Sequence, residues 1–295
     1  MEMTTGSDDR DLIPSITFSD EERDSGAPNK AHIAEAAKLF TEHGFVRLEN
    51  VYSPAFLQKL DTHYKKRYKN FLHSTNWRDR RPLFTVDVEG PFNDPAFYAS
   101  PLVVPFMQHF LEKDYILAAM SSVASFPGAP DQHLHRDALP IFGKDYTFDV
   151  NVPPYSITTL IPLVDCTLET GCTKVWPGSH KCKNAEEADK ISSIDPEVRT
   201  GSILVTDSRL VHRGGANHSD RMRPLLYMTF HRNWFRDFWG YENRPPVNIS
   251  DSELKKVPDR YQHMFNWTKD RYKHIRAKNT LRRILPGTLR EKLGK

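Results

Sequence analysis

Gly201-Ser-Ile-Leu-Val-Thr-Asp-Ser-Arg-Leu-Val-His212 reads as a strand over 202–206, a turn at Asp207-Ser208 and a histidine opening the next segment. Its chemical partners lie far upstream, in His133-Leu-His135-Arg-Asp137. Alternate residues of a strand share a face, so His135 and Asp137 offer an imidazole nitrogen and a carboxylate oxygen to a common point. His133 shares that face, and spacing alone does not choose between the two histidines. His212 can meet either pair only through the fold, which is what a rolled β-sandwich provides.

Working outward, short β-rich runs alternate with turn signals from Tyr115 to Trp234: 116–125, 156–164, 174–176, 202–206 and 225–231. Many short strands with Pro and Gly turns argue for a sandwich or barrel. The region before them is helical in pattern. Ile33, Ala36, Ala37 and Phe40 recur at helical spacing with Gly44 as a stop, Ser53-Pro54 caps a helix to about Phe71, and Asp94-Pro95 opens one through about Leu111. Phe45-Val-Arg-Leu alternates like a strand. The expected organisation is a flexible acidic leader over 1–28, one β-domain with an N-terminal helical layer over 29–245, and a basic helical extension over 246–295.

Composition sets the class. The chain has 295 residues, 38% hydrophobic and 27% charged, with a mean hydropathy of −0.60. These values fit a soluble globular protein and exclude a mainly disordered chain. No stretch approaches the roughly 20 apolar residues that cross a bilayer, and the polar start is no signal peptide. Three cysteines without a CxxC pair make neither a disulfide framework nor a thiolate zinc site. A cytoplasmic protein is expected. Charge is asymmetric: residues 1–26 hold eight acids against Arg10 and Arg23, a net of −6, and residues 268–295 hold ten Lys and Arg against Asp270 and Glu291, a net of +8. The basic tail lacks interleaved aromatics and carries Ile275, Leu281, Ile284 and Leu285, which favours an amphipathic helix over a nucleic-acid arm.

Two histidines and one carboxylate occupy one face of an octahedral ion and leave the opposite positions open, as in non-haem Fe(II) oxygenases. Arg221-Met-Arg223 follows His212, and an arginine at the mouth of a buried strand binds a carboxylate through two parallel hydrogen bonds. If Arg223 faces inward, so do Leu225, Tyr227, Thr229 and His231, which makes His231 a candidate for substrate contact. Phe142 and Trp234 are candidate pocket walls, although aromatics at strand ends are more often core. The run Trp234-Phe-Arg-Asp-Phe-Trp239 either closes the barrel or mediates self-association into a homodimer.

Gln132-xx-His135-Arg-Asp137, Thr170-Gly-Cys-Thr-Lys-Val-Trp-Pro-Gly-Ser-His-Lys181, Asp207-xxxx-His212 and Arg223 together resemble the phytanoyl-CoA dioxygenase family, over roughly residues 29–240. The resemblance implies a mainly β protein with flanking helices and a double-stranded β-helix (jelly-roll, cupin-like) core. It implies Fe(II), 2-oxoglutarate and O₂ as cofactors, His135, Asp137 and His212 as metal ligands in place of His133, and Arg223 on the far carboxylate of 2-oxoglutarate. Gln132 and Thr173 match positions that help hold this cosubstrate. The chain departs in having Gly201-Ser202 where Gly-Asp is frequent, and His-Arg-Asp where His-Gln-Asp is commoner. Related halogenases replace the carboxylate ligand with a small residue, so Asp137 favours oxygen chemistry.

The expected function is hydroxylation of an unactivated C–H bond of a small organic metabolite, with succinate and CO₂ released and neither nucleic acid nor membrane as partner. Two alternatives stay open: a non-catalytic β-helix protein that binds a ligand, which needs a broken triad, and an oxygenase acting on a macromolecule, suggested by the basic tail. Loops over 138–155 and over 76–93, the latter with Arg78, Arg80 and Arg81, are candidate lids.

Overall fold

The computed structural model describes residues 13–73, 79–138, 141, 152–236, 246–266 and 268. From the N-terminus run β1 (Ser15–Thr17), α1 (Asp20–Ser25), α2 (Lys30–His43), β2 (Phe45–Glu49) and α3 (Pro54–Leu72). Then come β3 (Leu83–Thr85), α4 (Pro95–Tyr98), α5 (Val104–Leu111) and β4 (Ile116–Ser125). The remaining strands are β5 (Ser156–Pro162), β6 (Thr173–Val175), β7 (Ile203–Asp207), β8 (His212–Gly214) and β9 (Arg223–His231).

Local chemistry sets the helix ends. Asn29 caps α2 by accepting from the Ala31 amide, and Gly44, at φ +80, lets the Gly44 amide return to the Phe40 carbonyl. Ser53 Oγ accepts from the Phe56 amide at the start of α3, with Pro54 in the first turn. The helix expected from Asp94 to Leu111 is instead two, α4 and α5, separated by a turn around Pro101. Proline disfavours helical geometry at Ser100 before it and donates no backbone hydrogen bond. The leader expected to be flexible over 1–28 is structured from residue 13. β1 pairs in parallel with Arg47–Glu49 of β2, and Ser19 and Glu22 form a reciprocal capping box on α1.

Among the described residues, seven strands form one sheet in the order β1-β2-β7-β5-β9-β4-β3, and β6 pairs with β8 in a second. All neighbours in both sheets except β1–β2 are antiparallel. Alternation sorts the apolar side chains of the large sheet into two cores. Val46, Leu48, Val205, Leu226, Met228 and Phe230 pack with Phe40 of α2, Leu60 of α3 and Phe106 of α5. Phe45, Leu204 and Leu225 face the other way, onto Cys166, Cys172, Val175 and Leu210 of the segments bearing the second sheet. Burial on both faces explains why these strands read as continuous apolar runs.

Residues 246–266 are part of this body. A short helix, Asp251–Leu254, and a 3₁₀ stretch, Asp259–Phe265, place Met264 and Phe265 in the helix-side core. The tail beyond 268 lies outside the described residues.

Candidate metal centre

The face of the large sheet turned away from the helices carries the site. β8 pairs with β6, setting Gly214 opposite Thr173 and His212 opposite Val175. On its other side His212 faces His135: each donates its amide to the other's carbonyl at 3.0 Å. Directly opposed strand residues project to one side, which brings the two imidazoles to a centroid separation of 4.4 Å. Asp137, two residues beyond His135, joins them, its Oδ1 3.9 Å from His135 Nε2 and 3.6 Å from His212 Nε2. One donor atom from each lies within 4.8 Å of the others, and among the described residues no further group of this kind occurs. His133 contributes its carbonyl, not its ring, to the arrangement.

That carbonyl matters. His135 Nδ1 donates to the His133 carbonyl at 2.9 Å, and His212 Nδ1 donates to the Leu210 carbonyl at 3.0 Å. An oxygen that only accepts places the proton on Nδ1 and turns both Nε2 lone pairs toward Asp137. Burial, and next the charge of His212, hold His135 below the usual histidine range, so the neutral, ligating form is favoured.

The turn Pro177-Gly-Ser-His180 ties the two ligand strands from behind. Ser179 Oγ accepts from the amide of Val211, the residue before His212, at 2.9 Å. Arg136, between His135 and Asp137 and therefore facing the opposite way, donates to the Ser179 and Cys182 carbonyls at 3.1 and 2.8 Å. His180 lies against Gly44, with its Nε2 3.3 Å from the Thr41 carbonyl.

A cavity of about 130 Å³ opens beside the three donors, lined by Gln132, Thr158, Thr173, Gly214 and Arg223 with Leu83, Val123, Leu160, Leu225 and Tyr227. Arg223 is 1% exposed, yet its hydrogen bonds are to backbone carbonyls, Gly171 at 2.8 Å and Thr170 at 3.4 Å. Among the described residues no carboxylate reaches ion-pair distance of it. A buried guanidinium without a counter-charge is costly, so this cavity end fits an anion. Gln132 Oε1 accepts from the Gly214 amide at 2.9 Å, which leaves its NH₂ as the free end. Thr173 stands opposite Gly214 and is buried. The donor set of two imidazoles and one carboxylate suits a first-row divalent ion with open positions, and the unpaired Arg223 suits a dicarboxylate beside it.

The other expected residues fall elsewhere. His231 is buried between the sheet and Phe235, 4.8 Å away ring to ring, and does not line the cavity. Trp234 is 62% exposed and also outside the lining. Phe142 and most of the loop over 138–155 lie outside the described residues, as does Arg78. Arg81 spends its guanidinium on the Pro130 and Gly215 carbonyls, both at 2.7 Å; burial, and next the charge of Arg223, lower it to about 10. The sequence reading missed Thr158, Gly214 and Arg136. Alternation from Asp137 already sends Arg136 to the back of its strand, whereas nothing local marks Thr158.

The sequence profile described as phytanoyl-CoA dioxygenase (PhyH) matches residues 40–225. The dioxygenase FUM3 of Gibberella moniliformis is 30% identical over 170 residues, covering 53% of this chain and 54% of that protein. The iron/alpha-ketoglutarate-dependent dioxygenase ausU of Aspergillus calidoustus is 34% identical over 120 residues, covering 39% and 40%. The chain spans about half the length of the curated relatives it matches. The non-heme alpha ketoglutarate dependent epimerase SnoN from nogalamycin biosynthesis superposes with a TM-score of 0.58 at 16% identity, covering 72% of this chain and 86% of that one. AviO1 from Streptomyces viridochromogenes Tue57 superposes at 0.53 and 18%, covering 69% and 96%. These two structures share the fold.

Proposed function

The chain belongs to the phytanoyl-CoA dioxygenase family, and from that premise we propose that it is an Fe(II)- and 2-oxoglutarate-dependent oxygenase that hydroxylates a C–H bond of a small organic metabolite. In this reading the two sheets are the halves of a double-stranded β-helix, and the catalytic domain is the expected 29–245 segment together with the strand and core residues that flank it on both sides. His135, Asp137 and His212 hold the ion. Arg223 pairs with the far carboxylate of 2-oxoglutarate, while the Gln132 amide and Thr173 hydroxyl complete that end of the cavity. When bound, iron with 2-oxoglutarate and O₂ supplies the oxidising power, yielding succinate and CO₂.

The chain's own residues do the rest. The Nδ1–H bonds to the His133 and Leu210 carbonyls fix the orientation of both rings and aim each Nε2 at Asp137. Leu160 and Leu225 give the cavity beside Arg223 an apolar wall, and an apolar surround strengthens an arginine's hold on a carboxylate. The observation that carries the reading is the coincidence of a three-donor cluster with a buried, unpaired arginine lining one cavity. Anaerobic titration with Fe(II) and then 2-oxoglutarate tests it: a weak visible charge-transfer band is expected, and its absence would end the proposal. Product analysis with a turned-over substrate then separates hydroxylation from epimerisation, the activity in SnoN's name.

A further inference from the structure

We propose that Thr158 is the residue that orients the Asp137 carboxylate, at the head of a chain of buried hydroxyls whose protons all run toward it. The inference rests on Asp137 being a metal ligand. Thr158 Oγ1 lies 3.2 Å from Asp137 Oδ2, 3.3 Å from Ser208 Oγ and 3.3 Å from Thr229 Oγ1. Ser208 Oγ in turn lies 2.7 Å from Ser156 Oγ.

A hydroxyl has one proton to give and two lone pairs to fill. An ionised carboxylate only accepts, so the Thr158 proton goes to Asp137. The two remaining contacts must then donate to Thr158, one from Ser208 and one from Thr229. With its proton given to Thr158, Ser208 accepts from Ser156. The direction of every bond follows from the charge at one end. Aligned hydroxyls polarise one another, so the last bond to Asp137 is stronger than an isolated one.

The backbone fixes this chain in place. Thr158 and Thr229 are directly paired across β5 and β9. Ser208 donates its amide to the Ser156 carbonyl at 3.1 Å and accepts from the Ala138 amide, next to Asp137, at 2.9 Å. Thr158, Thr229, Ser156 and Ser208 are buried. Thr158 holds Oδ2, while Oδ1 is the oxygen nearest both imidazoles. Held this way, the carboxylate would present Oδ1 rather than both oxygens to an ion bound between the imidazoles.

Mn(II) binding to the full chain, followed by the electron paramagnetic resonance of the free ion, tests the proposal without turnover. Thr158→Val keeps the shape and removes the donor; its Kd for Mn(II) is expected to rise about 10–100-fold, the usual cost of losing a partner behind a metal ligand. Thr158→Ser is expected to keep wild-type affinity, and metal-free Thr158→Val to keep the wild-type fold by circular dichroism while melting a few degrees lower, because Ser208, Thr229 and Asp137 lose a buried partner. Should Thr158→Val not fold, Ser208→Ala removes the donor behind Thr158 and is expected to weaken Mn(II) about two- to tenfold. Wild-type affinity in Thr158→Val overturns the proposal, as does a Thr158→Ser as weak as the valine variant. A wild-type chain that binds no Mn(II) removes the metal site itself, and the inference with it.

Discussion

Arg223 is a permanent cation enclosed by protein, with two carbonyls for company. Its removal should be felt by the cosubstrate and not by the ion. Losing a charged hydrogen-bond pair costs about 1.5–3 kcal/mol, so Arg223→Ala should raise the 2-oxoglutarate requirement roughly 10–150-fold with Fe(II) affinity unchanged. Titration of the charge-transfer band measures both, and parallel loss of iron would contradict the assignment. His180 and His231 mark a different vulnerability. Burial lowers them to about 4 and about 3. Between those values and the ordinary range near 6.5, the unfolded chain binds protons that the folded chain refuses. Stability is therefore complete above about pH 6.5 and declines as pH falls through that window. Urea midpoints at pH 7 and pH 5 should show the drop, with a shallower slope in His231→Phe; a midpoint that rises on acidification would refute it. His231 also shows what alternation alone cannot decide. It names the face of a strand correctly, but how far along that face the cavity extends depends on Phe235 closing over the ring.

At the scale of elements, β8 is where a single methyl group would tell. A Cβ on Gly214 would stand 2.5 Å from Gln132 Oε1, the tip of a movable side chain. Gly214→Ala should therefore displace Gln132 and leave the strand paired, weakening 2-oxoglutarate by up to about tenfold, the worth of one ordinary hydrogen bond. Circular dichroism and the same titration test it; a collapsed fold would mean that the backbone, not Gln132, had yielded. The elements differ in how plainly the sequence announces them. β4 is buried on both faces and is legible from its apolar run to the residue. The ends of α2 and α3 are legible because Gly44 and Ser53-Pro54 act locally. The break between α4 and α5 is written locally in Pro101, which disfavours helical geometry at Ser100. Thr158 is hidden for a physical reason: threonine is an ordinary strand residue, and only the pairing with β7 and β9 brings Ser208 and Thr229 to its hydroxyl.

For the molecule as a whole, the segment after the β-core is not an appendage. Val247, Ile249, Met264 and Phe265 are buried in the helix-side core. A chain ended at 245 exposes that core, at about 1.5–3 kcal/mol for each large apolar side chain lost. Such a truncation is expected to be insoluble or to melt far below the full chain. One ended at 268 should bind Fe(II) like the full chain, and a loss of binding there would assign the basic tail a part in the site. The two histidines of the proposed metal site stand in a different relation to stability. His135 and His212 are joined by their own backbones. Many small metalloproteins acquire their shape only when the ion arrives. Here the scaffold is finished beforehand, so the ion should be an exchangeable guest: a chelator can strip it, the emptied chain should persist intact, and the metal that returns will reflect what the surroundings supply.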